Sequence, residues 1–217
     1  MERLLADARY AARVLLKDRA FTITTLLTLT LCIGANAAIF AVLHSVVLKP
    51  LPVPEADRLV VMYNSYPNAG VERAATGVPD YYDRLRETDV FEEIALYQNR
   101  GMTVGSEGNV ERLSGMAVRP SFFRMLRVTP QRGRIFTEDE GEQGNDRKVV
   151  ISHGLWQRLF GGQESALGQD LRINGVPLQI VGIMPEDFLF VAPDVSLWIP
   201  LSFTPAQRSD DKDRKSV

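Results

Sequence analysis

The side chains able to do chemistry are few and scattered. The chain has two histidines and one cysteine among 217 residues. His153 sits in Ser152-His153-Gly154, which superficially resembles a turn presenting a nucleophilic serine, but the G-x-S-x-G frame of such a turn is missing. No residue beside His153 pairs with it, so it reads as a local hydrogen-bonding group at a helix start. His44 and Cys32 fall inside a long apolar run. Two histidines cannot supply both a triad and a metal site, and a lone cysteine forms no disulfide within one chain. Thr137-Glu138-Asp139-Glu140 is acidic but lacks the spacing of a calcium loop, and reads as a solvated turn or a capped helix start.

The remaining candidates are weaker. Tyr81 and Tyr82 suit packing better than a binding cage. Gly161-Gly162 and Gly168 are not followed by the lysine a phosphate loop needs. The aromatic residues are spaced as core and do not form a base-stacking platform. A net charge of −2 and a pI near 5.8 give no basic face for nucleic acid. No catalytic, cofactor-binding or metal-ligating residue is assigned, no cofactor is expected, and the chain does not read as an enzyme.

What positions the rest is the stretch from Ala20 to Leu48, AFTITTLLTLTLCIGANAAIFAVLHSVVL. Arg19 precedes it and Lys49 follows it, and no Asp, Glu, Lys or Arg lies between. A helix crossing a hydrocarbon core roughly 30 Å thick needs about 20 mostly apolar residues, which this run exceeds. Its threonines can return their hydroxyls to the preceding turn. A cleaved leader is the rival: Ala35-Asn36-Ala37 fits a small-x-small site. However, Ala38 to Leu43 continues the apolar run, so cleavage there would leave an apolar new terminus. Gly34, Ala35, Ala37 and Ala38 permit close helix approach or are simply tolerated; Asn36, the polar member, would seek a partner helix.

Residues 1–19 carry Leu4, Leu5, Ala8, Ala12, Leu15 and Leu16 at helical spacing among Arg3, Arg9, Arg13, Lys17 and Arg19. This is a basic amphipathic helix suited to an anionic membrane surface, and the positive-inside rule then puts Met1 in the cytoplasm. Residues 20–48 form the spanning helix, residues 49–204 an extracytoplasmic domain, and residues 205–217 a charged, disordered tail. With no disulfide framework, the outer domain must fold on apolar packing.

Within that domain the prolines of Lys49 to Pro54 make a stiff connector. Arg58 to Tyr63 reads as a buried strand, and Asn64 to Thr76 as loop with a turn at Pro67-Asn68-Ala69-Gly70. Val78 to Glu87 is a helix, and Phe91 to Gln98 a strand or a short helix followed by a strand. Gly101–Val104 and Val110–Val118 form a hairpin about Ser106-Glu107-Gly108-Asn109. Pro120 to Leu126 is a short helix and Pro130 to Phe136 a turn with an extended piece. Lys148–Ile151 is a strand, capped by Ser152 into a helix to Phe160 that stops at Gly161-Gly162. Asp170–Ile173 and Val176–Ile183 form a hairpin about Asn174-Gly175, with Pro177 demanding an edge or a bulge. Ser196 to Leu201 is the last strand.

In this order the motifs are specific. They are Asp7-Ala8-Arg9-Tyr10, Ile33 to Phe40, Leu48-Lys49-Pro50-Leu51-Pro52, Gly133-Arg134-Ile135-Phe136, Gly154-Leu155-Trp156, Phe160-Gly161-Gly162, Val181-Gly182-Ile183-Met184-Pro185 and Leu197-Trp198-Ile199-Pro200-Leu201. The chain resembles the N-terminal part of MacB-like ABC transporter permeases, of the acidobacterial-type group, from about Met1 to Leu201. The resemblance implies an α+β protein: one transmembrane helix and a mixed α/β periplasmic core domain with a porter-like part and a β-rich part.

It also implies an inner-membrane permease whose outer domain binds partners and relays ATP-driven motion during transport. The implied partners are an ABC-type ATPase acting in trans, further permease chains in a dimer, and the lipid bilayer. Such permeases continue beyond the point where this chain ends, so the chain reads as a fragment with an incomplete core and some exposed apolar surface. The competing reading is a stand-alone, single-pass, membrane-anchored binding or sensor module.

Overall fold

The structure is a computed structural model and describes residues 10, 17–43, 53–106, 108–188, 190 and 194–208. Two compact units divide the chain, Met1–Pro50 and Leu51–Val217. The expected leader helix over residues 1–19 lies largely outside the described residues, as do residues 44–52, with His44, and the tail from Ser209.

In the first unit, helix α1 spans Arg19–Leu43. Asp18 caps it, its Oδ1 accepting from the Phe21 N–H at 3.1 Å. The window Arg19–Val42 is long and apolar enough to cross a membrane, and none of it is buried inside the protein. Its large side chains are exposed all round, from Phe21 to Leu31 and Phe40. A helix apolar on every side and uncovered by protein is a helix for lipid. Thr24 and Thr28 donate their hydroxyls to the carbonyls of Ala20 and Thr24, both at 2.9 Å. Asn36, expected to seek another helix, instead donates to the Cys32 carbonyl at 2.9 Å within its own helix.

The second unit is built on a seven-stranded mixed sheet that closes on itself. Its strands, after a small hairpin of β1 (Asn64–Tyr66) and β2 (Val71–Ala74) and helix α2 (Val78–Glu87), are β3 (Tyr97–Ser106), β4 (Asn109–Val118), β5 (Arg132–Gly133), β6 (Lys148–Ile151), β7 (Asp170–Ile173), β8 (Val176–Ile183) and β9 (Leu197–Pro200). Their order is β5-β8-β6-β9-β4-β3-β7, and β7 pairs back onto β8. Hairpins β3–β4 and β7–β8 are antiparallel in the registers expected from their turns, Ser106 opposite Asn109 and Ile173 opposite Val176. Strand β9 inserts between β4, to which it is parallel, and β6, to which it is antiparallel. Pro177 is tolerated because β6 joins β8 only from Gln179 onward, which leaves β8 without a second neighbour at the proline.

Both faces of this sheet are covered, which is why its strands read as continuous apolar runs. Met102, Val104, Val149, Ile151, Leu171, Ile173, Ile180 and Leu197 fill the interior with Leu155 and Trp156. Those two belong to helix α4 (His153–Phe160), whose N-cap Ser152 accepts from Leu155 N–H at 3.1 Å and which ends at left-handed Gly161. The alternate residues Met116, Val118, Val150 and Trp198 face an outer core of Phe122, Phe123, Phe136 and Phe188. A bulge opposite Val149–Val150 skips Val181 to that outer core and returns Ile183 to the inside. Helix α3 (Ser121–Met125) carries Phe122 and Phe123 into it.

Three expectations fail. Arg58–Tyr63 is not a buried strand: a 3-10 turn covers Ala56–Arg58, residues 59–63 pair with no strand, and Val60, Val61 and Tyr63 are exposed. The apolar run is genuine, but no described strand lies alongside to hydrogen-bond it. Asn64–Thr76, read as loop, contains the β1–β2 hairpin. Within the segment expected to be disordered from residue 205, Pro205–Arg208 forms a short helix, α5. Arg208 explains it: its guanidinium lies over the Tyr82 ring and pairs with Glu142 at 2.5 Å.

Candidate functional site

Residues 59–63, left without a sheet, form one wall of a groove of about 1000 Å³ on the second unit. The start of α2, the extended segment 90–98 and residues 201–207 complete it. The lining is mostly apolar and aromatic, with Tyr63, Tyr66, Tyr81, Tyr97, Phe91 and Phe190. Burial pushes the Tyr97 phenol above its ordinary value, and Tyr63 nearby adds to this. Tyr81 is raised by burial too, against the pull of the Arg119 cation and the hydrogen bonds of Arg119 and Ser121.

Two polar networks frame the groove. At one side Arg84 donates to Asn64 Oδ1 at 2.7 Å and to Thr76 at 3.1 Å, and Asn64 donates to Asp80 at 2.7 Å. These tie the β1–β2 hairpin to α2. At the other side four charges alternate in a ring. Arg58 meets Glu55 at 2.7 Å and Glu92 at 3.5 Å; Arg127 meets Glu92 at 3.0 Å and also pairs with Glu55. Beside the ring, Arg124 holds Glu93 at 2.7 Å and Glu138 at 2.8 Å. The hydrogen bond that Arg124 donates to Glu93, then that to Glu138, lifts its guanidinium above its usual range, and the bond to Glu55 does the same for Arg58.

The described candidates outside helix α1 sit in local packing and hydrogen-bond contacts. His153 Nδ1 lies 2.7 Å from Gln131 Nε2 and its ring meets the edge of Trp156, so it is held locally. Glu138–Gly141 is a 3-10 turn begun by Thr137, whose N–H donates to Glu140 at 3.0 Å. Buried Glu140 also accepts a two-pronged contact from Arg134, at 2.7 and 2.8 Å. Burial alone would raise its pKa, but the Arg134 and Thr137 hydrogen bonds outweigh that and hold it below the ordinary value. Tyr81 packs edge-on to Tyr82, and Tyr82 to Phe203. Gly161 and Gly162 end α4, the Gly161 N–H donating to the Gln157 carbonyl at 3.0 Å. Among the described residues no three His, Cys, Asp or Glu side chains gather to hold a metal ion.

The sequence reading missed the groove and its ring. Glu55 and Arg127 are non-glycine residues at left-handed φ, 52° and 53°, and residue type gives no warning of that.

Comparison with known proteins places this architecture. The MacB-like periplasmic core domain family matches residues 22–216. The macrolide export ATP-binding/permease protein MacB of Wolinella succinogenes is 24% identical over 184 residues, covering 83% of this chain and 28% of that relative. The pyoverdine export ATP-binding/permease protein PvdT of Pseudomonas syringae pv. tomato is 30% identical over 79 residues, 36% of this chain and 12% of that protein. The chain thus spans about a quarter of the length of the Wolinella relative. The periplasmic region of MacB from Actinobacillus actinomycetemcomitans shares the fold with a TM-score of 0.50 at 14% identity, over 64% of this chain and 62% of that one. An apolar helix followed by a β-rich domain of this fold, matched over nearly its whole length, identifies the chain as a member of the MacB-like periplasmic core domain family.

Proposed function

We propose that the chain is the anchored outer portion of an ABC transporter permease. Helix α1 crosses the inner membrane once, the basic leader stays in the cytoplasm, and the domain that follows lies in the periplasm. There it binds partners and passes on motion driven by ATP hydrolysis in an ATPase supplied in trans. It works beside a second permease chain and performs no catalysis itself. The observation that carries this reading is the family match over residues 22–216, which includes most of a lipid-compatible helix. The relatives' printed names, ATP-binding/permease proteins for export, supply the transport context. The basic residues before α1 supply the orientation.

Orientation is tested with Cys32→Ser as background and Val110→Cys as reporter, Val110 being 61% exposed. A membrane-impermeant maleimide should label the reporter in cells whose outer membrane alone has been permeabilised. Labelling only after lysis would put the domain inside and end the proposal. Transport context is tested by crosslinking in the native host: an ABC-type ATPase and a second permease chain should be captured, and their absence would leave the anchor without a transporter.

A further inference from the structure

From the ring of Glu55, Arg58, Glu92 and Arg127 we infer that residues 53–63 form a releasable strap, a hinged wall of the groove that this ring clasps shut. The first observation is the ring itself. It is the chief polar attachment of the strap: Glu55 and Arg58 belong to the strap, Glu92 and Arg127 to the body of the domain. All four side chains are between 41% and 66% exposed. Exposed pairs are individually weak and screened by salt.

The second observation is strain. Glu55 and Arg127 each hold a left-handed backbone, which an L residue adopts at a cost, and they hold it where they pair with each other. Arg127 is also fixed as the residue that closes α3, where the Val128 N–H donates to the Phe123 carbonyl at 3.1 Å, so letting go of the ring relieves the strap's own Glu55 and to that extent favours release.

The third is what lies beneath. Val53 is buried in the outer core at 8% exposure, with Ala56 and Leu59 partly buried against the same cluster. Beyond them Val60, Val61 and Tyr63 are exposed, and residues 60–63 make no strand pairing among the described residues. The strap therefore has a shallow apolar footing and no ladder. By contrast β6 and β9 are paired on both sides and almost fully buried. A segment so attached opens at far lower free energy than the barrel it lies on. Opening swings out the wall that carries Val60 and Val61 and widens the groove.

The test uses the full chain in detergent or nanodiscs. Val53→Cys, in a Cys32→Ser background, places a thiol on the strap's buried face. Adding Glu92→Gln removes two of the four ring contacts and should raise the thiol's labelling rate about three- to tenfold, the scale of one or two exposed ion pairs. Raising salt from about 0.05 M to about 1 M should speed labelling in the parent and have much less effect once Glu92 is neutral. Arg124→Gln, which breaks pairs with Glu93 and Glu138 and none with the strap, should leave the rate unchanged. A thiol from Ile151→Cys inside the barrel reports general loosening. The inference is overturned if Glu92→Gln leaves the Val53→Cys rate within about twofold of the parent, or if the Ile151→Cys thiol speeds up by the same factor.

Discussion

Thr103 and Asn174 exchange hydrogen bonds across the seam of the barrel. The Asn174 N–H donates to the Thr103 carbonyl at 2.7 Å, and the Thr103 N–H donates to Asn174 Oδ1 at 2.9 Å. Only one residue pair, Val104 with Ile173, joins β3 to β7 in the ladder itself. The side chain of a turn residue thus stands in for a missing rung. Asn174→Gly keeps the positive φ the turn requires, 49° here, and removes only the side-chain bond. The expected cost is about 1 kcal/mol, the net worth of one hydrogen bond, read by thermal unfolding. A variant as stable as the parent would show that the seam holds without it.

Gly133 and Gly182 face each other in the β5–β8 pair. A Cβ on Gly182 would collide with the Arg134 carbonyl oxygen, and one on Gly133 with that of Val181. These are backbone atoms held in the ladder, since Arg134 N–H donates to Val181 at 2.9 Å. Gly182→Ala should cost about 3 kcal/mol or more through displaced backbone, and Gly133→Ala should add strain from its φ of 74°. A drop in melting temperature of only a degree or two in either variant would contradict the close approach.

The Glu140 carboxylate lies below its ordinary pKa of 4.5 in the folded state. The unfolded chain therefore binds a proton more readily, so the pair's contribution is complete above about pH 5 and fades as pH falls below 4.5 toward the folded value. Glu140→Gln should lower the melting temperature at neutral pH and flatten its decline in acid, so the two curves approach one another as the pH falls below 4.5. Parallel curves from about pH 6 to about pH 3 would show that another carboxylate sets the acid limb.

Arg127 lends itself to a paired comparison. Arg127→Ala and Arg127→Gly both remove its ion pairs, but only glycine is at ease at φ 53°. The glycine variant should be the more stable of the two by about 1 kcal/mol in denaturant unfolding. Equal stabilities would mean the left-handed backbone is not strained.

Legibility in the sequence followed the range of the interactions. Helix α2 and the Asn174-Gly175 hairpin were readable because capping, turn geometry and apolar spacing are local. Leu59-Val60-Val61-Met62-Tyr63 was misread because an apolar run signals an extended chain but not whether a neighbour exists to pair with it. Helix α5 was missed because its partners, Tyr82 and Glu142, are far away in sequence. Asn174 was legible as a turn and illegible as a seam, since Thr103 lies 71 residues earlier. The family motifs now have physical grounds: Gly133 and Gly182 admit no side chain, and Trp198 packs edge-on to Phe123 and tilted against Phe188, with ring centroids 5.9 and 5.3 Å away.

The placement of β9 has a consequence for how the molecule is made. The last of these seven strands in chain order is the one that wedges between β4 and β6. Until residue 200 has emerged, those two strands have nothing to bridge them, and the nascent sheet is an open curl with a raw edge on either side. Closure must then await a strand about 80 residues beyond β4, a high-contact-order step that is slow by its topology.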